Sequence, residues 1–232
     1  QAEVYMHEND AFLVEDPARA FEMLSAATLR LMGKDDAQIG EARDKYVSTC
    51  TVQKVARALK EGDVVDLGKG IELRVVSIPG HTMGSIGYFW ERAGMLFIGD
   101  SAMGQGSRPG ILPVLSYPFT YADTLKKLMG MQIGLLGLGH YYQTLRINST
   151  SIKNGDQIRL YLEDCEEINN RIMEAMARAI HDRWTRPFPT VMSTAVDLLS
   201  QRLFLRRDPS TGLPIGAART MGAYYEEIMK AL

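Results

Sequence analysis

The chain has 232 residues, of which 46% are hydrophobic and 23% charged, and its formal net charge is -2. Its length and apolar content allow a sizeable buried core, which excludes a disordered or fibrous protein. Basic and acidic residues are interspersed, so the sequence offers no basic stripe for binding nucleic acid.

The two cysteines and the hydropathy indicate the cellular compartment of the protein. Cys50 and Cys165 fit no Cys-x-x-Cys spacing, which predicts two reduced thiols. No apolar run approaches the roughly 20 residues that span a bilayer, and no leader peptide opens the chain. We therefore expect a cytoplasmic protein with neither a membrane nor a nucleic-acid partner. Because Gln1 is followed at once by a strand-like segment, we also expect that the chain begins within a fold.

The first 60 residues predict one strand and two helices. A strand is expected at residues 3–6, and an amphipathic helix at residues 18–32 follows the Asp16-Pro17 cap. A second helix is predicted over residues 37–60, with one apolar face. This segment is thus expected to be mainly helical.

The middle of the chain predicts short strands that end at candidate functional residues. Residues 64–78 are β-rich around the turn at residues 68–70, and residues 85–90 and 95–98 predict a second hairpin. A Gly- and Pro-rich loop then leads to a helix at residues 120–129, a strand at 133–136 and His140. That loop is either a surface connection or a segment that faces the substrate.

The last third predicts a helical extension. Helices are expected at residues 156–182, 191–204 and 217–232, separated by prolines and by a turn at residues 208–212. The sequence therefore divides into a partial α/β domain over residues 1–150 and a helical extension over residues 151–232 packed on it.

Two short motifs carry the chemistry. Residues 79–85 read Pro-Gly-His-Thr-Met-Gly-Ser after a predicted strand, and Gly99-Asp100 ends another strand. A Pro-Gly turn can present the His81 imidazole at the edge of a sheet, and the Asp100 carboxylate suits zinc, iron or manganese. On its own, His140 would be read as an ordinary turn residue.

In their order and spacing, these motifs resemble the metallo-β-lactamase superfamily. The resemblance implies the second half of an αβ/βα sandwich and two divalent metal ions, zinc in the first instance. It also implies that His81 binds one metal, that His140 binds the other and that Asp100 bridges them. Asp100 would hold the attacking hydroxide, and Tyr141 or its neighbour Tyr142 could lie near the developing oxyanion, although packing explains a Tyr pair equally well.

The chain departs from the superfamily in one respect, because it has no His-x-His-x-Asp-His cluster. Three ligands shared by two metals would leave each metal under-coordinated. We therefore expect a second polypeptide that supplies the cluster in a hetero-oligomer, or a missing N-terminal segment of the same protein. His7 and His181 are interpreted as structural or surface residues.

The function implied is metal-dependent hydrolysis of a small organic substrate, which could be an ester, a lactone, an amide or an activated aryl ether. The alternative is a non-catalytic subunit that uses a metallo-β-lactamase-like half for protein interaction. Metal content and turnover would separate these two hypotheses.

Overall fold

The computed structural model describes residues 2–106, 111–147, 150–201, 203, 205–206, 213–214 and 217–232. The turn predicted at residues 208–212 lies outside this part of the chain.

In the described part of the chain, eight strands form two sheets. They are β1 Val4–His7, β2 Val55–Leu59, β3 Val64–Asp66, β4 Glu72–Ser77, β5 Ile86–Trp90, β6 Met95–Phe97, β7 Leu135–Gly137 and β8 Ile152–Asn154. Strands β1 and β2 pair in parallel as a two-stranded sheet. The others form a six-stranded sheet in sequence order, in which β6 and β7 are parallel and every other pair is antiparallel. The two hairpins predicted at residues 64–78 and 85–98 are confirmed.

The described residues also form eight α-helices. They are α1 Phe12–Glu15, α2 Pro17–Phe21, α3 Ala27–Leu31, α4 Asp36–Ser48, α5 Pro118–Met129, α6 Asp156–Asp182, α7 Phe188–Ser200 and α8 Ala217–Ala231. A π-helical turn at Glu22–Ala26 joins α2 to α3. None of the described helices combines the length and apolar character needed to cross a bilayer.

The single helix predicted over residues 37–60 is wrong. Helix α4 begins at a capping box between Asp35 and Gln38 and ends at Ser48, and residues 55–59 form strand β2. Pairing with β1 and complete burial of Leu59 favour the strand over the helix propensity of this Ala- and Arg-containing segment.

One face of the six-stranded sheet carries the main core. Val76, Leu96 and Leu136 are buried on it and share one cluster with residues of α5, α6, α7 and α8. Because β8 begins at Ile152 and the C-terminal helices enter this same cluster, the sheet and the helical extension pack together. The boundary predicted at residue 150 stays a prediction.

The opposite face of the sheet is only partly covered. Leu59 of β2 packs there against Val65 and Val75, so the two-stranded sheet covers the β3–β4 side. On the β6–β8 side, Phe97 and Ile152 remain 40% and 52% exposed. Both residues align with Gly137, and a Cβ at Gly137 would lie 2.9 Å from the Phe97 ring. An apolar strip therefore faces outward on one half of this face.

The two thiols should differ in reactivity. Cys165 is buried in α6, and burial raises its pKa to about 12, whereas Cys50 is half-buried and both are free. The reactive thiolate of Cys165 is therefore disfavoured in the folded protein. Titration of the native protein with a thiol reagent should modify Cys50 alone, and Cys165 should react only after unfolding. Rapid modification of two thiols in the native protein would contradict this expectation.

Candidate metal centre

The turn that carries His81 is fixed by its backbone. Gly80 has φ 142°, a conformation that L side chains rarely adopt. Its carbonyl accepts hydrogen bonds from Ser116 N at 3.1 Å and Tyr117 N at 3.0 Å. A Cβ at Gly80 would lie 2.8 Å from the Cα of Tyr121, so the turn packs directly on helix α5. The position of His81 is thus set by a backbone contact that only glycine allows.

A buried carboxylate holds the other end of this turn. Asp10, which is 7% exposed, accepts hydrogen bonds from the Thr82 hydroxyl and from Gly84 N, the latter at 2.9 Å. A Cβ at Gly84 would lie 2.4 Å from the Asp10 Cγ, which explains glycine there. The sequence analysis missed Asp10, because it lies some 70 residues from the turn and belongs to no motif.

The hydrogen bond of His81 determines its tautomer. Its Nδ1 lies 2.6 Å from the carbonyl oxygen of Val114. Because a carbonyl oxygen only accepts, Nδ1 must carry a proton, and the lone pair of the neutral imidazole then lies on Nε2, where a metal would use it. Orientation of a ligating imidazole by a backbone carbonyl is common at protein metal sites.

Asp100 and His140 come together at neighbouring strand ends. His140 Nε2 lies 3.9 Å from Asp100 Oδ1. A Cβ at Gly139 would lie 2.4 Å from the same oxygen, so the close approach of the two segments requires glycine there. Gly139 N also donates to Gly99 O at 2.8 Å, which joins the two strand ends directly.

Tyr142 contacts the Asp100 carboxylate. The Tyr142 ring is fully buried and its hydroxyl donates to Asp100 Oδ1. Burial and the Asp100 carboxylate together raise the Tyr142 pKa far above its usual value, so the phenol stays a donor at neutral pH. Tyr141 is 65% exposed, and its catalytic role stays a prediction.

The donors match a transition metal in type but not in number. Imidazole and carboxylate groups suit zinc, and His81 and Asp100 are each oriented by a hydrogen bond. However, no group of three or more His, Cys, Asp or Glu side chains in the described chain could hold a metal by itself. His7 is buried and accepts from Asn9 N at 3.1 Å, and His181 is exposed. A complete centre therefore needs donors beyond those described.

Fold and turn geometry together define a protein of the metallo-β-lactamase fold. A β-lactamase domain protein from Burkholderia ambifaria matches all of this chain and 62% of its own, with TM-score 0.60 and 16% identity. A metallo-β-lactamase family protein from Thermus thermophilus matches 86% of this chain and 67% of its own, with TM-score 0.51 and 18% identity. At these identities the likeness establishes the fold alone, and the predicted fold class is confirmed.

Curated relatives of similar sequence are hydroxyacylglutathione hydrolases. A hydroxyacylglutathione hydrolase from Rhodopseudomonas palustris is 29% identical over 161 residues, which are 69% of this chain and 57% of that protein. Another from Chelativorans is 36% identical over 89 residues, which are 38% and 33% of the two chains. No family model matches the sequence. The chain thus spans about half the length or less of these curated relatives, and its resemblance to the metallo-β-lactamase superfamily is confirmed.

Proposed function

We propose that this chain provides part of a binuclear metallohydrolase, with His81, Asp100 and His140 as ligands to two divalent ions, zinc in the first instance and iron or manganese as alternatives. The observation that carries the proposal is the meeting of His140 and Asp100 at 3.9 Å, with buried Tyr142 bonded to the same carboxylate. Such metals would lower the pKa of a bound water and polarise the scissile bond.

The chain's own side chains position the metal ligands. Tyr142 holds the Asp100 carboxylate, and Val114 O fixes the His81 ring so that Nε2 is available. His140 is largely exposed, which leaves the centre open to a small substrate on that side. These contacts orient the ligands before any substrate binds, and such pre-organisation favours catalysis.

We infer that the remaining ligands come from a second polypeptide in a hetero-oligomer or from an N-terminal segment of the same protein. Two observations support this. The described residues supply too few donors, and apolar side chains of β6 and β8 are uncovered on the face that the two-stranded sheet covers elsewhere. Exposed apolar strips of this kind favour a packing partner.

The proposed location of the protein is the cytoplasm.

The relatives suggest which substrate to test first. Because the curated relatives are hydroxyacylglutathione hydrolases, a hydroxyacyl thioester is the first candidate, followed by esters, lactones, amides and activated aryl ethers. The complete assembly should hydrolyse at least one of these. Removal of metal with a chelator should abolish turnover, and added zinc should restore it. A metal-free assembly that turns over none of them would favour the non-catalytic interaction subunit.

Replacement of Tyr142 with Phe should weaken metal binding by about 10- to 100-fold, because the Asp100 carboxylate loses the donor that orients it. Competition with a chromogenic chelator measures this change. Tyr141→Phe is the matched control and should leave metal affinity unchanged, since Tyr141 is 65% exposed and Tyr142 donates to the Asp100 carboxylate. If Tyr141 stabilises the oxyanion, Tyr141→Phe should lower kcat alone. Equal metal affinity in Tyr142→Phe and the wild type would contradict the positioning role.

A further inference from the structure

Two adjoining cavities form a groove on the outer side of the His81 turn. The first, of about 300 Å³, is lined by apolar side chains, by Asn9, Asp10 and Arg19, and by Thr82 and Met83 of the turn. The second, of about 50 Å³, lies between α3 and α8. Met23 and Leu24 line both cavities, so we call the pair the Met23 groove.

The apolar wall of the Met23 groove is unusually exposed for such residues. Met23 is 53% exposed and Met83 is 40% exposed, and Phe12 and Leu13 stand beside them. Methionine side chains adapt to ligands of different shape. Met23 and Leu24 also lie in the π-helical turn Glu22–Ala26, and such turns occur frequently at functional sites. The wall is therefore suited to an apolar chain or ring.

A half-buried arginine lies at the inner end of the groove. Among the described residues, the Arg219 side chain makes one hydrogen bond, to Ser116 Oγ at 3.0 Å, and no ion pair. A guanidinium has five N–H donors, and burial without a carboxylate lowers the pKa of Arg219. Two carboxylates line the groove. Asp10 already accepts hydrogen bonds from Thr82 and Gly84, and Glu226 lies seven residues further along α8, about 10 Å by helix rise. Arg219 thus has donors available for an anion.

We propose that the Met23 groove binds an amphipathic carboxylate, with its carboxylate on Arg219 and its apolar part along Met23 and Leu24 toward Met83. An arginine and a carboxylate can pair through two parallel hydrogen bonds, and the apolar wall removes the chain from water. Arg19, whose guanidinium lies 4.9 Å from the Phe12 ring centroid, stands at the rim and favours an anionic ligand.

The groove lies next to the turn that carries His81, because Thr82 and Met83 line it. Thr82 and Met83 directly follow His81, so a ligand in the groove lies against the back of the metal-binding turn. Binding of a carboxylate in the groove does not depend on the proposed function.

Calorimetric titration of the chelator-treated protein with straight-chain carboxylates tests the binding directly, because no metal can contribute. Octanoate should bind with one saturable site, and octanamide should bind at least about tenfold more weakly. Between butyrate and octanoate, affinity should rise by up to about fourfold per methylene until the groove is filled. Equal affinity for octanoate and octanamide, or no saturable binding, would overturn the proposal.

Two variants locate the site within the protein. Arg219→Gln should lower octanoate affinity about tenfold, and Met23→Glu, at an exposed position, should do so by placing a negative charge on the wall. Arg159→Gln and Met129→Glu, at exposed positions outside the groove, are the controls and should bind as the wild type does. If Arg219→Gln does not fold, Met23→Glu alone decides, and unchanged binding in it would refute the assignment. If octanoate binds as expected but the assembly hydrolyses none of the candidate substrates, only the proposed function is refuted.

Discussion

Replacing Asp100 with Ala should lower kcat/KM of the complete assembly by about a thousandfold and reduce its metal content. Asp100 is the residue that meets His140 and accepts from Tyr142, so its replacement removes the carboxylate on which the candidate centre depends. A metal contributes several kcal/mol to transition-state stabilisation, and about 4 kcal/mol corresponds to a factor of about 10³ in rate. Metal analysis and steady-state kinetics on the same preparations measure both effects.

Asp123→Ala is the matched control for this experiment. Asp123 is an exposed carboxylate on α5 that pairs with Lys126 at 3.3 Å and lies outside the centre. This variant should keep full turnover and metal content, since an exposed ion pair contributes little. Unchanged turnover and metal content in Asp100→Ala would instead favour the non-catalytic subunit.

Gly80→Ala should lower the free energy of unfolding by about 3 kcal/mol and weaken metal binding. The new Cβ would lie 2.7 Å from the Cβ and 2.8 Å from the Cα of Tyr121. Because the Cα belongs to the backbone of α5, a side-chain rotation cannot relieve this overlap. Over-packing and an unfavourable φ each destabilise by about 1–3 kcal/mol. The turn would have to shift, and His81 would shift with it. Urea unfolding and metal titration measure the two consequences.

The chain offers a glycine control with the opposite expected sign. Gly40 lies inside helix α4, and a Cβ there would meet nothing within 4 Å. Gly40→Ala should therefore raise the free energy of unfolding by up to about 1 kcal/mol, because alanine favours the helix. If Gly80→Ala were as stable as the wild type, the packing of the turn on α5 would not be what fixes His81.

Local sequence was enough to predict the elements that carry the candidate ligands. The Pro-Gly-His turn and the Gly-Asp strand end are short motifs, and the strands before them are β-rich segments close to turn residues. Helical periodicity likewise predicted the long helix at Asp156–Asp182 correctly. Such features depend on residues close in sequence, which is why a single chain reveals them.

Contacts between distant residues could not be predicted in this way. Strand β2 forms because residues 55–59 pair with β1, about 50 residues earlier, and that pairing outweighs their helix propensity. Asp10 contacts the turn at Thr82 and Gly84, and no pattern near Asp10 signals it. The choice of Tyr142 over Tyr141 as the partner of Asp100 likewise depends on which ring the core buries.

The central claim is that His81, Asp100 and His140 form one part of a metal centre completed by a segment outside these 232 residues. The most direct test is mass spectrometry of the native protein, purified from its source cells, together with metal analysis of the same sample. We predict a longer chain or a second polypeptide carrying a His-x-His-x-Asp-His cluster, with about two metal ions per centre. A monomer of these 232 residues alone, without bound metal, would contradict the claim.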